Sequence, residues 1–319
     1  MKTIRLFLLA AILLTSCAPA TTPAPLTPPG PASVTPALPT LTALPPTSTP
    51  EAFLPTETPS ALRVSPTDGM PQVYIPAGRL RMGGLDVHAD RKDELPVHVV
   101  TLGAFWLDQL EVTNAMYLLC VQAGACIPPA DWASDRRPSY FNTEEFKDYP
   151  VVHVTWEQAG DYCAWAGRRL PTEAEWERAA RGDDFRNFPW GDEPPSAVYA
   201  NFDRLLRDTS RVGSYPAGAS PFGALDMAGN VWEWVSDYYA IEYYKESPGV
   251  NPLGPAVSSA NLRVIRGGSF QDEWVDLRVS KRGAELGPDP DARYSAPDRA
   301  GKHSSKIGFR CAEGTDYLQ

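Results

Sequence analysis

Between Met70 and Ala312, Gly, Pro, Asn or Asp interrupts the chain every few residues. That punctuation restricts the fold more than any other feature, because it leaves no room for long helices or wide uninterrupted strands. Short apolar runs such as QVYIPAG, VHVVTL and LRVIRGG read as brief strands joined by ordered loops. Three stretches escape the pattern. EVTNAMYLLCVQAG offers Thr113 or Asn114 as a cap, Met116, Leu119 and Cys120 on one face, and Gly124 as a stop. HVTWEQAGDYCAWAG sets Thr155 three residues before Gln158, a capping box, and closes at Gly167. RRLPTEAEWERAARG repeats the box with Thr172 and Glu175 and ends at Gly182. The expectation is an α+β domain over residues 70–313 with few short elements and much irregular loop, followed by a tail at 314–319. Most of its nine tryptophans, Trp106, Trp156, Trp165, Trp176, Trp190, Trp232 and Trp234 among them, are expected to pack that loop-rich core.

The beginning of the chain has a different character. Lys2 and Arg5 precede an apolar run from Leu6 to Leu14 and then LTSC. This is the layout of a secretory signal over residues 1–17, too short for a permanent span, and the tetrapeptide resembles the lipobox of bacterial lipoproteins. Lipidation of Cys17 is therefore expected, with a membrane as partner and the cell envelope as location. Residues 18–68, rich in Pro, Thr, Ala and Ser, lack the large apolar side chains a core needs and read as a disordered stalk. Acids outnumber bases to a formal net charge of −10, with no basic cluster interleaved with aromatics, so nucleic acid is not an expected partner.

Setting Cys17 aside, four cysteines remain, an even count that suits two disulfides in an exported chain and allows three pairings. Cys120 and Cys126 are near neighbours around Gly124, which makes a local loop the simplest choice and leaves Cys163 with Cys311.

Little familiar catalytic chemistry is available. His88, His98, His153 and His303 show no metal-binding spacing and read as surface or core residues. GGSF is not a nucleophile elbow, and phosphate-loop and dinucleotide fingerprints are missing. Asn201, Asp203 and Asp208, with carbonyls near Ser220 to Gly223, form an oxygen-rich set suited to Ca²⁺ or merely to turns. If GNVWEWVSD is extended, Trp232 and Trp234 share one face and Glu233 occupies the other, and all three are candidates for a binding site. The stretch RGGSFQDEWVDL brings two glycines, where backbone can approach closely, up to a serine followed by acids.

Taken together, FWLDQLEVTNAMY, YPVVHVTWEQAGDYCAWAGRRLPTEAEWERAARG, FPWGD, VGSYPAGASPFGALDMAGNVWEWVSDYY, RVIRGGSF and IGFRCA strongly resemble the formylglycine-generating-enzyme family, the sulfatase-modifying-factor domains. The resemblance covers residues 74–312 and implies one domain of C-type-lectin-like character, usually with structural calcium. It also implies oxidation of a sulfatase cysteine by a copper ion held between two cysteines, although other members serve different roles. Cys163 and Cys311 match a structural disulfide of the family, and Ser269 matches the serine beside its active centre. The copper-ligand positions, three and eight residues after that serine, hold Asp272 and Leu277. Copper(I) is soft and needs thiolates, so copper is not expected here. Asp272, Asp276, Arg278 and Arg266 are left either as the polar lining of a pocket or as structural salt bridges.

The expectation for function is a ligand-binding or accessory module for an exported protein, peptide or glycan. The alternative is an active family enzyme working through Ser269 and Asp272.

Overall fold

A computed structural model of the protein describes residues 62–84, 92–288 and 301–314. The signal segment, Cys17, the stalk up to residue 61 and His88 lie outside the described residues. Among the described residues, no helix is long and apolar enough to cross a membrane.

Three helices form where the capping signals stand: α1 (Asn114–Gln122), α2 (Trp156–Trp165) and α3 (Glu173–Arg181). Thr113 Oγ1 accepts from the Met116 N–H at 3.2 Å. At α2 the box closes both ways: Gln158 N–H donates to Thr155 Oγ1 at 3.3 Å, and Thr155 N–H donates to Gln158 Oε1 at 2.9 Å. At α3 the same two bonds measure 3.1 Å and 2.8 Å. Each box satisfies amide donors that a helix start leaves orphaned.

The buried stripe of α1 differs from the expected one. Asn114, Tyr117 and Cys120 face inward, whereas Leu119 is 45% exposed. At about 100° per residue, Leu119 lies a full step off the line through Tyr117 and Cys120, and Tyr117 fills the core instead.

Among the described residues, ten short strands make three sheets. The first runs β1 (Leu62–Val64), β2 (Pro71–Ile75), β5 (Phe105–Asp108) and β10 (Ala312–Gly314), all antiparallel. The second pairs β3 (Gly78–Met82) with β4 (His98–Leu102). The third has the order β8 (Arg282–Leu286), β7 (Leu262–Arg266), β6 (Trp232–Tyr238) and β9 (Ile307–Phe309), with β9 parallel to β6. Residues 62–68 were expected to end the stalk. Instead β1 pairs with β2, and Asp68 is buried against Arg168 and the Tyr162 hydroxyl, so the fold starts earlier than composition suggests.

Both expected disulfides are present, Cys120–Cys126 and Cys163–Cys311. The second ties α2 to the segment between β9 and β10. Around it Tyr117, Tyr162, Trp232, Trp234 and Phe309 make the largest apolar cluster. Trp106, Trp176, Trp232 and Trp234 are buried as expected; Trp156, Trp165 and Trp190 are half-buried, and Trp132 and Trp274 are exposed.

Helix α3 is the unusual element, because all nine of its residues are buried, charged ones included. Glu173 receives Arg282 at 2.7 Å and Arg266 at 3.3 Å; Glu177 receives Arg266 at 2.6 Å and Arg181 at 3.1 Å. Arg178 donates to the carbonyls of Pro76 and Arg79. Burying an unpaired ion costs several kcal/mol, and this matching is what lets a polar helix occupy the interior.

Candidate functional site

The Gly-Gly-Ser bend follows β7 directly. Gly267 has φ 97° and Gly268 φ 74°, and a Cβ on Gly268 would stand 2.9 Å from the Asp276 carbonyl and 3.3 Å from Leu277 Cδ1. Both glycines are therefore required by backbone conformation, and the second by close approach as well. The bend turns Ser269 inward, where it is fully buried. Asp272 Oδ2 then collects three donors: the Ser269 amide at 3.0 Å, the Ser269 hydroxyl, and the Trp232 indole at 2.8 Å. Ser269 Oγ in turn accepts the Gln271 amide at 3.2 Å. Leu277 packs with Phe188, Ala200, Phe202 and Ala228.

Ser269 and Asp272 thus meet, but Arg266, Arg278 and Asp276 are engaged elsewhere. Arg266 is fully buried, donating to Glu173 and Glu177 and to the carbonyls of Val279 and Ser280. Arg278 grips Glu94 through two bonds of 2.8 and 2.7 Å. Asp276 pairs with Lys281 at 2.8 Å. For these three the salt-bridge alternative describes their contacts.

Strand β6 alternates as expected, yet its carboxylate face is as dry as its indole face. Glu233 accepts Arg310 at 2.7 Å on each oxygen and the Trp176 indole at 2.8 Å, and the Trp234 indole donates to the Val154 carbonyl at 3.1 Å. A strand buried on both faces carries polar groups inward only if they are paired. Beside Glu233, burial and neighbouring carboxylates hold Glu111 well above the usual carboxylate range, and burial pushes Asp226 up to about 6.

The oxygen-rich residues divide into separate groups. Asn201 and Asp208 are adjacent, with Asn201 Nδ2 donating to the Asp208 carbonyl at 2.9 Å. The buried Asn201 Oδ1 has no hydrogen-bond partner among the described residues. The Asp208 carboxylate takes the Ser134 hydroxyl at 2.7 Å, the amides of Arg136 and Thr209, and Arg137 at 3.3 Å. Ser220 and Gly223 form another turn, where the Gly223 carbonyl accepts Gln109. Asp203 is exposed. Among the described residues no group of three or more His, Cys, Asp or Glu side chains is arranged to hold a metal.

Copper fails a test of donor chemistry. All four described cysteines are disulfide-bonded, Leu277 offers no donor, and the Asp272 carboxylate is a hard ligand whose Oδ2 already takes three donors. These residues do not fit a copper(I) ion.

One feature escaped sequence reasoning. An open cleft of about 450 Å³ lies against the bend, lined by Asp135, Arg136, Asp203, Arg204, Arg207 and Gln271 over Phe270. Its floor is pinned to the bend by the Asp203 amide on the Asp272 carbonyl at 2.9 Å and the Arg204 amide on the Phe270 carbonyl at 2.7 Å. Asp203, Arg204 and Arg207 have φ of 48°, 55° and 57°, a left-handed conformation that side-chain-bearing residues avoid and that marks functional loops when it clusters. Among the described residues, Arg136, Arg204 and Arg207 form no ion pair. The run DRLLRD carried this signal as alternating cations and exposed leucines, which composition alone read as calcium-type oxygen donors.

The architecture is that of a domain built on irregular loops with C-type-lectin-like character, and comparison with known proteins agrees. Residues 58–315 match the family model described as a sulfatase-modifying factor enzyme 1-like domain. A formylglycine-generating enzyme of Streptomyces coelicolor is 35% identical over 302 residues, covering 77% of this chain and 90% of that protein. A hercynine oxygenase of Mycolicibacterium smegmatis is 35% identical over 244 residues, covering 66% of this chain and 56% of that protein. Among solved structures, PvdO from Pseudomonas aeruginosa superimposes with a TM-score of 0.64 at 27% identity, covering 81% of this chain and 99% of that one. The chain belongs to the sulfatase-modifying-factor, or formylglycine-generating-enzyme, family.

Proposed function

We propose that this chain is an exported protein, anchored to a membrane through lipidated Cys17, whose family domain binds a ligand instead of oxidising a cysteine. The observation that carries this reading is the state of the two copper-ligand positions. Asp272 Oδ2 is taken by donors from Ser269 and Trp232, and Leu277 is buried in an apolar cluster. Ser269 is equally unsuited to attack a substrate, since its hydroxyl is buried and already bonded to Asp272. The cleft over Phe270 is the proposed seat. Three arginines without ion-pair partners favour a carboxylate-bearing or otherwise anionic group on an exported protein, peptide or glycan. Structural calcium, where bound, would use the unpartnered Asn201 Oδ1, a hard oxygen suited to that ion.

The test is incubation of the purified chain with a sulfatase-type CxPxR peptide and copper, read by mass spectrometry, alongside metal analysis of the protein. The reading expects the peptide to keep its thiol. Aldehyde formed at enzyme-like turnover, and lost in Ser269→Ala, overturns it in favour of formylglycine generation, the activity in the names of several relatives.

A further inference from the structure

Two histidines with no sequence signal between them fold together. His153 stands in the loop before α2 and His303 just ahead of β9, separated by 150 positions, yet their Nδ1 atoms lie 3.4 Å apart. Their ring centroids are 5.6 Å apart, with the planes inclined at 61°. The backbone builds this meeting. The His153 amide donates to the Ser304 carbonyl at 3.0 Å, and the Ala130 amide donates to the His153 carbonyl at 3.0 Å. His153 itself has φ 57°, so the chain holds an imidazole in a left-handed conformation to aim it there. Asp131 follows Ala130, and its carboxylate is close enough for both imidazoles to act on its charge. Both rings are half-buried, leaving a path from solvent.

Two nitrogens bound to a tetrahedral zinc at about 2.0–2.1 Å are themselves about 3.3–3.4 Å apart. We propose that His153 and His303 form a site for a divalent late-transition cation, Zn²⁺ or a chemically similar ion. Each ring donates the Nδ1 lone pair, water fills the remaining positions, and the Asp131 carboxylate offsets charge and orients one of those waters. With no third side chain of the usual ligand types completing a cluster among the described residues, the site is open and exchangeable. This site is independent of the cleft and of the ligand reading above.

The test is calorimetric titration of Zn²⁺ into the chelator-treated full chain at pH 7.5, in parallel with His303→Ala, His153→Asn and His98→Ala. Asparagine tolerates the left-handed φ at position 153, and circular dichroism checks that each variant folds. One equivalent is expected for the wild type and for His98→Ala, with affinity at least about tenfold weaker in His303→Ala and His153→Asn. Binding is also expected to weaken as the pH is lowered, because protons compete with the metal for the ligand nitrogens. Wild-type affinity retained in His303→Ala, or no Zn²⁺ binding by the wild type, overturns the proposal and leaves the pair as an imidazole–imidazole hydrogen bond.

Discussion

The arginines around α3 and those of the cleft are chemically identical, and the protein treats them in opposite ways. Arg266, Arg282 and Arg181 are buried and matched to Glu173 and Glu177. Arg136, Arg204 and Arg207 stand in solvent, two of them on left-handed backbone, with no carboxylate assigned to them. A buried guanidinium has already exchanged its water for fixed oxygens and has nothing left to offer a ligand. A hydrated one keeps its donors available for an incoming anion. In a chain of formal net charge −10, such a patch also draws acidic partners locally while the rest of the surface repels them. Charge that holds the fold and charge that serves binding therefore separate by burial and pairing.

The widest gap between the two regions is expected from Arg266→Ala. It leaves Glu173 and Glu177 short of a partner inside the protein and should cost about 3–5 kcal/mol, read as a large fall in the urea midpoint. A loss under about 1 kcal/mol would dissolve the distinction. Asp272→Ala is intermediate, because it strands the Ser269 and Trp232 donors at the border between bend and cleft. A cost of about 1–3 kcal/mol is expected by the same measurement.

The buried region should also answer to pH where the cleft does not. Burial raises Asp226 to about 6, and burial with Glu173 nearby raises Asp237 to about 7. The folded state then holds more protons than the unfolded chain between pH about 4 and 7, so these groups favour folding at the acid end and lose that advantage as pH climbs. The melting temperature is expected to fall from pH 5.5 to 8 at fixed ionic strength, with a flatter profile in Asp237→Asn. Asp68 and Glu173, held below their usual range in the fold, act in the opposite sense only nearer pH 4. An unchanged slope in Asp237→Asn would assign the effect elsewhere. The smallest stability effect is expected from Arg204→Ala or Arg207→Ala, within about 0.5 kcal/mol of wild type. Their consequence should appear instead as weaker binding of a carboxylate-rich peptide, with a shallower salt dependence.

Much of the fold was legible because its signals are local. Thr113, Thr155 and Thr172 cap helices through atoms at most three residues away, so the spacing itself states the contact. Cys120 and Cys126 paired for the same reason. The family motifs extended that legibility to the whole domain and located Ser269, Asp272 and Leu277. Glu233 was the instructive misreading: alternation on β6 placed it on the correct face, but nothing nearby revealed that Arg310 would seal that face. Leu119 failed in the same manner, since the packing put Tyr117 and not Leu119 into the core.

From its sequence alone this protein determined its helix starts, its short-strand character, its disulfide partners and its family, and the presence of Asp272 and Leu277 after Ser269. Those features depend on neighbours in the chain or on residue identity at a motif position. Only the tertiary structure decided which charges are spent inside and which remain free, because Glu173 meets Arg282 across 109 positions and His153 meets His303 across 150. At such separations the chain carries no periodicity to read, and burial, which sets the energy of every one of these contacts, exists only once the chain has closed on itself.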